Sequence, residues 1–184
     1  VLAFIENHDT DRFLGEGQNF PMLKQATTLL LTTRRIPQLY YGTEIMMNGV
    51  KSKSDGYVRC DFPGGWAGDK QNAFTAEGRT ELQNECYNFY KTILNWRKGN
   101  DVIAKGSMIQ FMVQNGVYAY ARQYEGKTVF VMLNGTDSET TVPLKFYKEI
   151  LKDTKQGKDI LTGRTISFGE ELKMSARESL VIEL

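Results

Sequence analysis

The chain has 184 residues, room for one generous domain or two small ones, since domains usually run about 100 to 150 residues. Apolar residues make up 41% and charged residues 24%, which excludes a disordered tail, a collagen-like fibre and a coiled coil. Lys and Arg number 23 against 22 Asp and Glu, evenly balanced in both halves, so neither half reads as a basic nucleic-acid binder.

The longest apolar runs fall well short of the roughly 20 residues that a membrane span needs. The two cysteines, Cys60 and Cys86, form no CxxC and have no histidine pair nearby, so a disulfide scaffold and a zinc knuckle both lack support. Val1 is preceded by neither Met nor a signal-type segment, and the chain is expected to begin in mid-sequence.

Val1 to Ile5 is a continuous apolar run that empties into Glu6-Asn7-His8-Asp9, the pattern of a doubly buried parallel strand. A helix follows, with Pro21 at its start, Met22, Ala26, Leu29 and Leu30 at helical spacing, Arg34 and Arg35 at its end, and Pro37 as its stop. Gln38 to Gly42 reads as a second strand, completing a βαβ unit. The glycine-rich stretch Thr43 to Gly78 shows little periodicity, and a loop of that length is usually functional. Thr80 and Gln83 then form a capping box ahead of a helix whose stripe is Leu82, Cys86, Phe89, Tyr90, Ile93 and Leu94. It closes at Arg97-Lys98-Gly99.

From Asp101 the period becomes twofold. Met108 to Val113, Val117 to Gln123 and Thr128 to Asn134 are predicted strands joined by Asn115-Gly116 and Glu125-Gly126-Lys127. Leu144 to Leu151 suits a short helix. Asp159 to Leu161, Thr165 to Phe168, Leu172 to Met174 and Ser179 to Leu184 follow as short strands at sandwich spacing. Asn134-Gly135-Thr136 fits a glycosylation sequon, although Asn-Gly after a strand is first of all a turn.

Glu6 to Arg12 is the densest polar cluster, and it sits at the carboxyl end of a predicted strand, where α/β folds bind ligands. It holds His8, the single histidine. An imidazole beside a carboxylate can donate to a hydroxyl-rich ligand while the carboxylate accepts from neighbouring hydroxyls or opposes developing positive charge. A capping cluster with no ligand is the competing reading on spacing alone.

Phe4-Ile5-Glu6-Asn7-His8-Asp9 resembles the strand-seven segment of the α-amylase family of glycoside hydrolases. Ile36 to Glu44 resembles that family's strand-eight segment, and Asp61-Phe62-Pro63-Gly64-Gly65-Trp66 is similar to its neopullulanase and cyclomaltodextrinase branch, especially Bacteroides members. The resemblance implies an α/β plus all-β chain: residues 1–100 as the last two βα units of a (β/α)8 TIM barrel, and residues 101–184 as an antiparallel β-sandwich C-terminal domain. It implies a retaining hydrolase of starch- or pullulan-type α-glucans, periplasmic or secreted. Asp9 matches the carboxylate that stabilises the transition state, and His8 matches the donor to hydroxyls of the same sugar. The family's nucleophile and acid come from earlier strands and are absent from this chain. Asp55-Gly56-Tyr57-Val58-Arg59-Cys60-Asp61 imitates the nucleophile motif, but with one residue too many and on the wrong side of the strand-seven motif.

Tyr41, at a strand end, and Trp66, in the loop, are the candidate stacking faces for sugar rings. Tyr40 reads as a core residue and Glu44 as a structural hydrogen-bonding partner. No cofactor is evident, and the resemblance leaves calcium in the intact enzyme open. Expected partners are α-glucan oligosaccharides, with self-association through exposed barrel strands. The alternative reading is a non-catalytic carbohydrate-binding or structural β-sandwich module.

Overall fold

The structure is a computed structural model that describes all 184 residues. The chain divides into two compact units, Val1–Leu30 with Arg35–Lys91, and Leu31–Arg34 with Thr92–Leu184. No helix is long and apolar enough to cross a membrane.

In the first unit, strand β1 (Leu2–Ala3) runs parallel to β2 (Ile36–Pro37), with helix α1 (Phe20–Thr32) between them in sequence. The second strand thus lies ahead of the expected Gln38 to Gly42. Backbone chemistry explains how proline enters it: Ile36 N donates to Val1 O at 3.2 Å and Gln38 N to Ala3 O at 2.8 Å, so the ladder never asks Pro37 for an N–H. The expected burial of the first strand does not hold. Val1, Leu2 and Phe4 are 90%, 54% and 44% exposed, and β1 pairs with β2 along one edge alone.

Helix α1 starts as its sequence requires, with Asn19 Oδ1 accepting from Met22 N at 3.1 Å and Pro21 in the first turn. It ends at Thr32, well before Pro37, and leaves Arg34 and Arg35 outside the last turn. A 3-10 turn (Thr43–Ile45) and a one-turn helix α2 (Asp55–Val58), capped by Ser54, punctuate the long loop. At Gly78 a Cβ would come within 1.9 Å of Asn72 O, so only glycine lets the loop fold back there. The Thr80–Gln83 capping box opens α3 (Glu81–Arg97): Gln83 N donates to Thr80 Oγ1 at 3.2 Å, and Thr80 N to Gln83 Oε1 at 2.9 Å. Phe20, Phe89 and Tyr90 pack edge to face, and Thr27 and Tyr90 share a 2.7 Å hydroxyl bond. Burial pushes the Cys86 thiol up to about 12.

The second unit is an antiparallel β-domain. A short helix α4 (Asp101–Lys105), capped by Asn100 Oδ1 on Ile103 N at 3.3 Å, stands where the twofold pattern was expected to begin. Then come β3 (Ser107–Gln110), β4 (Val117–Tyr124), β5 (Lys127–Asn134), β6 (Thr140–Pro143), a 3-10 turn (Leu144–Tyr147) running into α5 (Lys148–Leu151), β7 (Gln156–Asp159), β8 (Thr165–Ser167), β9 (Glu171–Met174) and β10 (Ser179–Glu183). Six strands form one sheet in the order β3-β4-β5-β10-β7-β8, and β6 pairs with β9 separately. Asn115 and Gly116, like Glu125 and Gly126, carry the positive φ angles that a tight hairpin turn demands. Strand β7 ends at Asp159 where Asp159 to Leu161 was expected. The buried carboxylate accepts from Leu161 N, Thr162 N, Thr162 Oγ1 and Val181 N, which turns the chain out of the ladder.

Alternation along the sheet builds two cores. Val117, Ala119, Ala121, Phe130, Met132, Leu180 and Ile182 pack with Val142 of β6, Met174 of β9, and Tyr147, Ile150 and Leu151. Tyr120, Val129, Val131, Leu133 and Val181 face the other way, onto Val102 and Ile103 of α4 and onto Trp96. Small residues of β4 sit opposite large ones of β5, Ala121 against Phe130 and Ala119 against Met132, so the first core interdigitates. Asn134 is fully buried; its Nδ2 donates to Ser138 O and Ser175 O, and its Oδ1 accepts from Thr136. The sequon is a structural turn.

Arg122 holds the second unit together from inside. Its Nε donates to Ser107 O at 3.0 Å, its Nη1 to Thr32 O at 2.8 Å, and its Nη2 to Ile103 O at 2.9 Å and Gly106 O at 2.8 Å. With Arg97 Nε on Leu31 O at 2.8 Å, it caps the carbonyl end of α1, the role that the sequence assigned to Arg34 and Arg35. Arg122→Met strips partners from four carbonyls, and the expected loss is on the order of 3 kcal/mol. Urea unfolding followed by far-UV circular dichroism should show a clearly lowered midpoint; an unchanged midpoint contradicts this role.

Candidate functional site

The polar segment after β1 is organised around a buried ion pair. Glu6 and Arg12 are 2% and 1% exposed, with Arg12 Nη1 3.2 Å from Glu6 Oε1. Glu6 also accepts from Phe13 N at 2.5 Å and from the Thr43 hydroxyl. Arg12 donates through Nε to Val58 O at 3.1 Å and through Nη1 to Tyr41 O at 2.7 Å, and its guanidinium stacks 4.0 Å over the Tyr40 ring. Its Nη2 is buried without a hydrogen-bond acceptor, and the stacked ring partly compensates.

Between these anchors lie His8 and Asp9, on a turn that Asn7 builds. Asn7 Oδ1 accepts from Asp9 N at 2.7 Å, and Asn7 N donates to Thr10 Oγ1 at 3.1 Å. Both side chains are more than half exposed, with His8 Nε2 3.2 Å from Asp9 Oδ2. The loop that follows β2 closes over this dipeptide. Arg59 Nη2 lies 3.0 Å from Asp9 Oδ1, Arg59 Nε donates to His8 O at 2.9 Å, and Lys51 Nζ donates to Asp9 O at 3.0 Å. Lys51 N donates to Asp11 Oδ1 at 2.6 Å. Asp55 pairs with Lys51 at 3.5 Å and with Arg59 at 3.1 Å.

Of the residues singled out in the sequence, His8 and Asp9 therefore meet. Tyr41 reaches the Glu6–Arg12 pair through its carbonyl; its ring packs on Tyr40 at 4.7 Å with the Arg12 guanidinium 4.9 Å from its centroid, and its hydroxyl donates to Cys60 O at 2.7 Å. Desolvation raises the Tyr41 phenol above its ordinary value. Trp66 is 68% exposed on a turn closed by Asp69 Oδ2, which accepts from Gly64 N and Trp66 N, and it makes no hydrogen bond or ring contact with His8 or Asp9. Burial raises the half-buried Glu44 carboxyl, opposed by bonds from backbone N–H groups. Arg59 and Lys51 are the members that the sequence reading missed. The available signal was the spacing of four residues between Lys51, Asp55 and Arg59, which suits ion pairing in sequence.

The arrangement presents a carboxylate whose Oδ1 accepts from Arg59 and whose Oδ2 lies 3.2 Å from His8 Nε2, with acceptor sites open on both oxygens. A carboxylate beside an imidazole has the acceptors and the donor to bind neighbouring hydroxyl groups. Removing the buried cation leaves Glu6 charged and unpaired, so Arg12→Met is expected to cost on the order of 3–5 kcal/mol, and Glu6→Gln less. Urea midpoints of the two variants rank the losses; Arg12→Met at the wild-type midpoint contradicts the anchor.

Residues 108–183 match the family described as the cyclo-malto-dextrinase C-terminal domain. An α-amylase of Niallia circulans is 31% identical over 170 residues, covering 88% of this chain and 29% of that protein. A cyclomaltodextrin glucanotransferase of Thermoanaerobacterium thermosulfurigenes is 30% identical over 92% of this chain and 23% of its own length. The chain thus spans less than a third of these curated relatives. Among solved structures, the α-amylase of Geobacillus thermoleovorans, determined with acarbose, superposes with a TM-score of 0.75 at 22% identity, covering 100% of this chain and 38% of that one. The cyclomaltodextrin glucanotransferase CldA superposes with a TM-score of 0.72 at 23% identity, covering 100% and 36%. Sequence and fold relate the chain to the α-amylase family of glycoside hydrolases, and it matches the C-terminal region of such enzymes.

Proposed function

We propose that this chain is the C-terminal portion of a retaining α-glucan hydrolase of the α-amylase and neopullulanase type. In this reading residues 1–100 are the last two βα units of a (β/α)8 barrel, and residues 101–184 are the β-sandwich domain C. The supporting observation is the exposed His8–Asp9 pair, held on an anchored turn at the carboxyl end of a strand that has a parallel partner.

In a retaining reaction one carboxylate attacks the anomeric carbon, an acid protonates the leaving oxygen, and positive charge develops on the sugar ring. Asp9 accepts from hydroxyls of that sugar and opposes the developing charge. His8 donates from its imidazole to the same ring. Tyr41 offers an aromatic face beside them, and Trp66 a second, more distant one. The nucleophile and the acid belong to upstream strands, so the isolated chain turns over no substrate. The open edge of β1 and the exposed Val1, Leu2, Phe4 and Ile36 suit pairing with further strands, either of a longer chain or of a second copy.

The test is hydrolysis of maltooligosaccharide by a longer chain that carries the upstream barrel strands. A charged hydrogen bond made mainly in the transition state contributes on the order of 3 kcal/mol, so Asp9→Asn is expected to lower kcat by about a hundredfold or more. Cleavage by the 184-residue chain alone, or wild-type turnover in Asp9→Asn, overturns the assignment.

A further inference from the structure

We propose that Arg59 is a positioning residue for Asp9, fixing the carboxylate's direction through a fork that also grips the preceding peptide; the proposal rests on the role given to Asp9 above. The geometry is specific. Arg59 directs Nε to the His8 carbonyl at 2.9 Å and Nη2 to Asp9 Oδ1 at 3.0 Å, so one planar edge holds both the backbone and the side chain of the dipeptide. Asp55 holds the same Nη2 at 3.1 Å from four residues back, so the fork itself is fixed. Lys51 Nζ on the Asp9 carbonyl at 3.0 Å pins the other side of the residue.

Folding stability does not account for this pairing. Arg59 and Asp9 are 38% and 61% exposed, and ion pairs that open to water contribute little to stability. What the fork supplies is direction: a guanidinium bonds two acceptors in one plane, which an ammonium cannot do. Arg59 takes one site on Oδ1, and Oδ2 lies 3.2 Å from His8 Nε2, so the carboxylate keeps acceptor sites on both oxygens for two adjacent hydroxyls. Without Arg59 the Asp9 side chain is free to rotate, and the transition state loses a partner that the ground state needs less.

The test uses the longer, active enzyme. Arg59→Gln is expected to lower kcat about tenfold with KM within twofold, Arg59→Lys to recover no more than a small part, and Asp55→Asn to produce a smaller fall in kcat. Calorimetric binding of acarbose completes the test as a double-mutant cycle with Asp9→Asn. The proposal predicts that Arg59→Gln weakens acarbose in the wild-type background and has no further effect once Asp9 is Asn. Additive losses, or a rise in KM with kcat unchanged, overturn it in favour of Arg59 touching the sugar directly. Full rescue by Arg59→Lys overturns the fork. If Asp9→Asn alone leaves both turnover and acarbose affinity intact, the role of Asp9 fails first, and the Arg59 proposal fails with it.

Discussion

The Glu6–Arg12 ion pair lies wholly inside the first unit, and the display of the candidate site depends on it. A buried charge is costly unless it is paired and hydrogen-bonded. Here that demand gathers the end of β1, the carbonyl of Tyr41, the hydroxyl of Thr43 and the carbonyl of Val58 around one guanidinium and one carboxylate. Because Glu6 and Arg12 flank residues 7–11 in sequence, the pair closes that segment into a short bracket. His8 and Asp9 are pushed to its outer side. Burial of one pair thus produces exposure of the next, and a rigid turn stands where a loop of five polar residues would otherwise wander.

Arg122 applies the same logic to the second unit with different partners. No carboxylate meets it there; four main-chain carbonyls do, among them the last one of α1 and those at the end of α4. Helix ends buried against a sheet must find donors for their final carbonyls, and a single arginine on β4 supplies several at once. The sheet can therefore bury both faces, with alternating small and large residues on one side and α4 on the other.

Much of this was legible in the sequence because it follows from local period. The hairpins at Asn115-Gly116 and Glu125-Gly126, the capping box at Thr80 and the strands β4, β5, β9 and β10 all lie where alternation and turn chemistry put them. Several features were not. Strand β2 sits at Ile36–Pro37 because parallel pairing skips alternate N–H groups, a condition that depends on the partner strand and not on the segment itself. Helix α4 is a single short turn fixed by Asn100, too brief to leave a period. Arg59 reaches back 50 residues to Asp9, and no spacing rule couples positions so far apart. His8 and Asp9 themselves were legible as a motif; that their neighbours Glu6 and Arg12 are buried anchors was not, since charged residues in a polar cluster read as solvated.

The proposed site for α-glucan hydroxyls lies on the outer side of that bracket, and none is proposed on the β-domain. The most direct check is a two-dimensional amide NMR titration of this chain with maltoheptaose, repeated with Asp9→Ala. Shifts concentrated at residues 7–11 and Arg59 that disappear in the variant are expected. Shifts confined to the sheet of β3–β5, β10, β7 and β8, and indifferent to Asp9→Ala, would contradict that placement and identify the β-domain as the binding module.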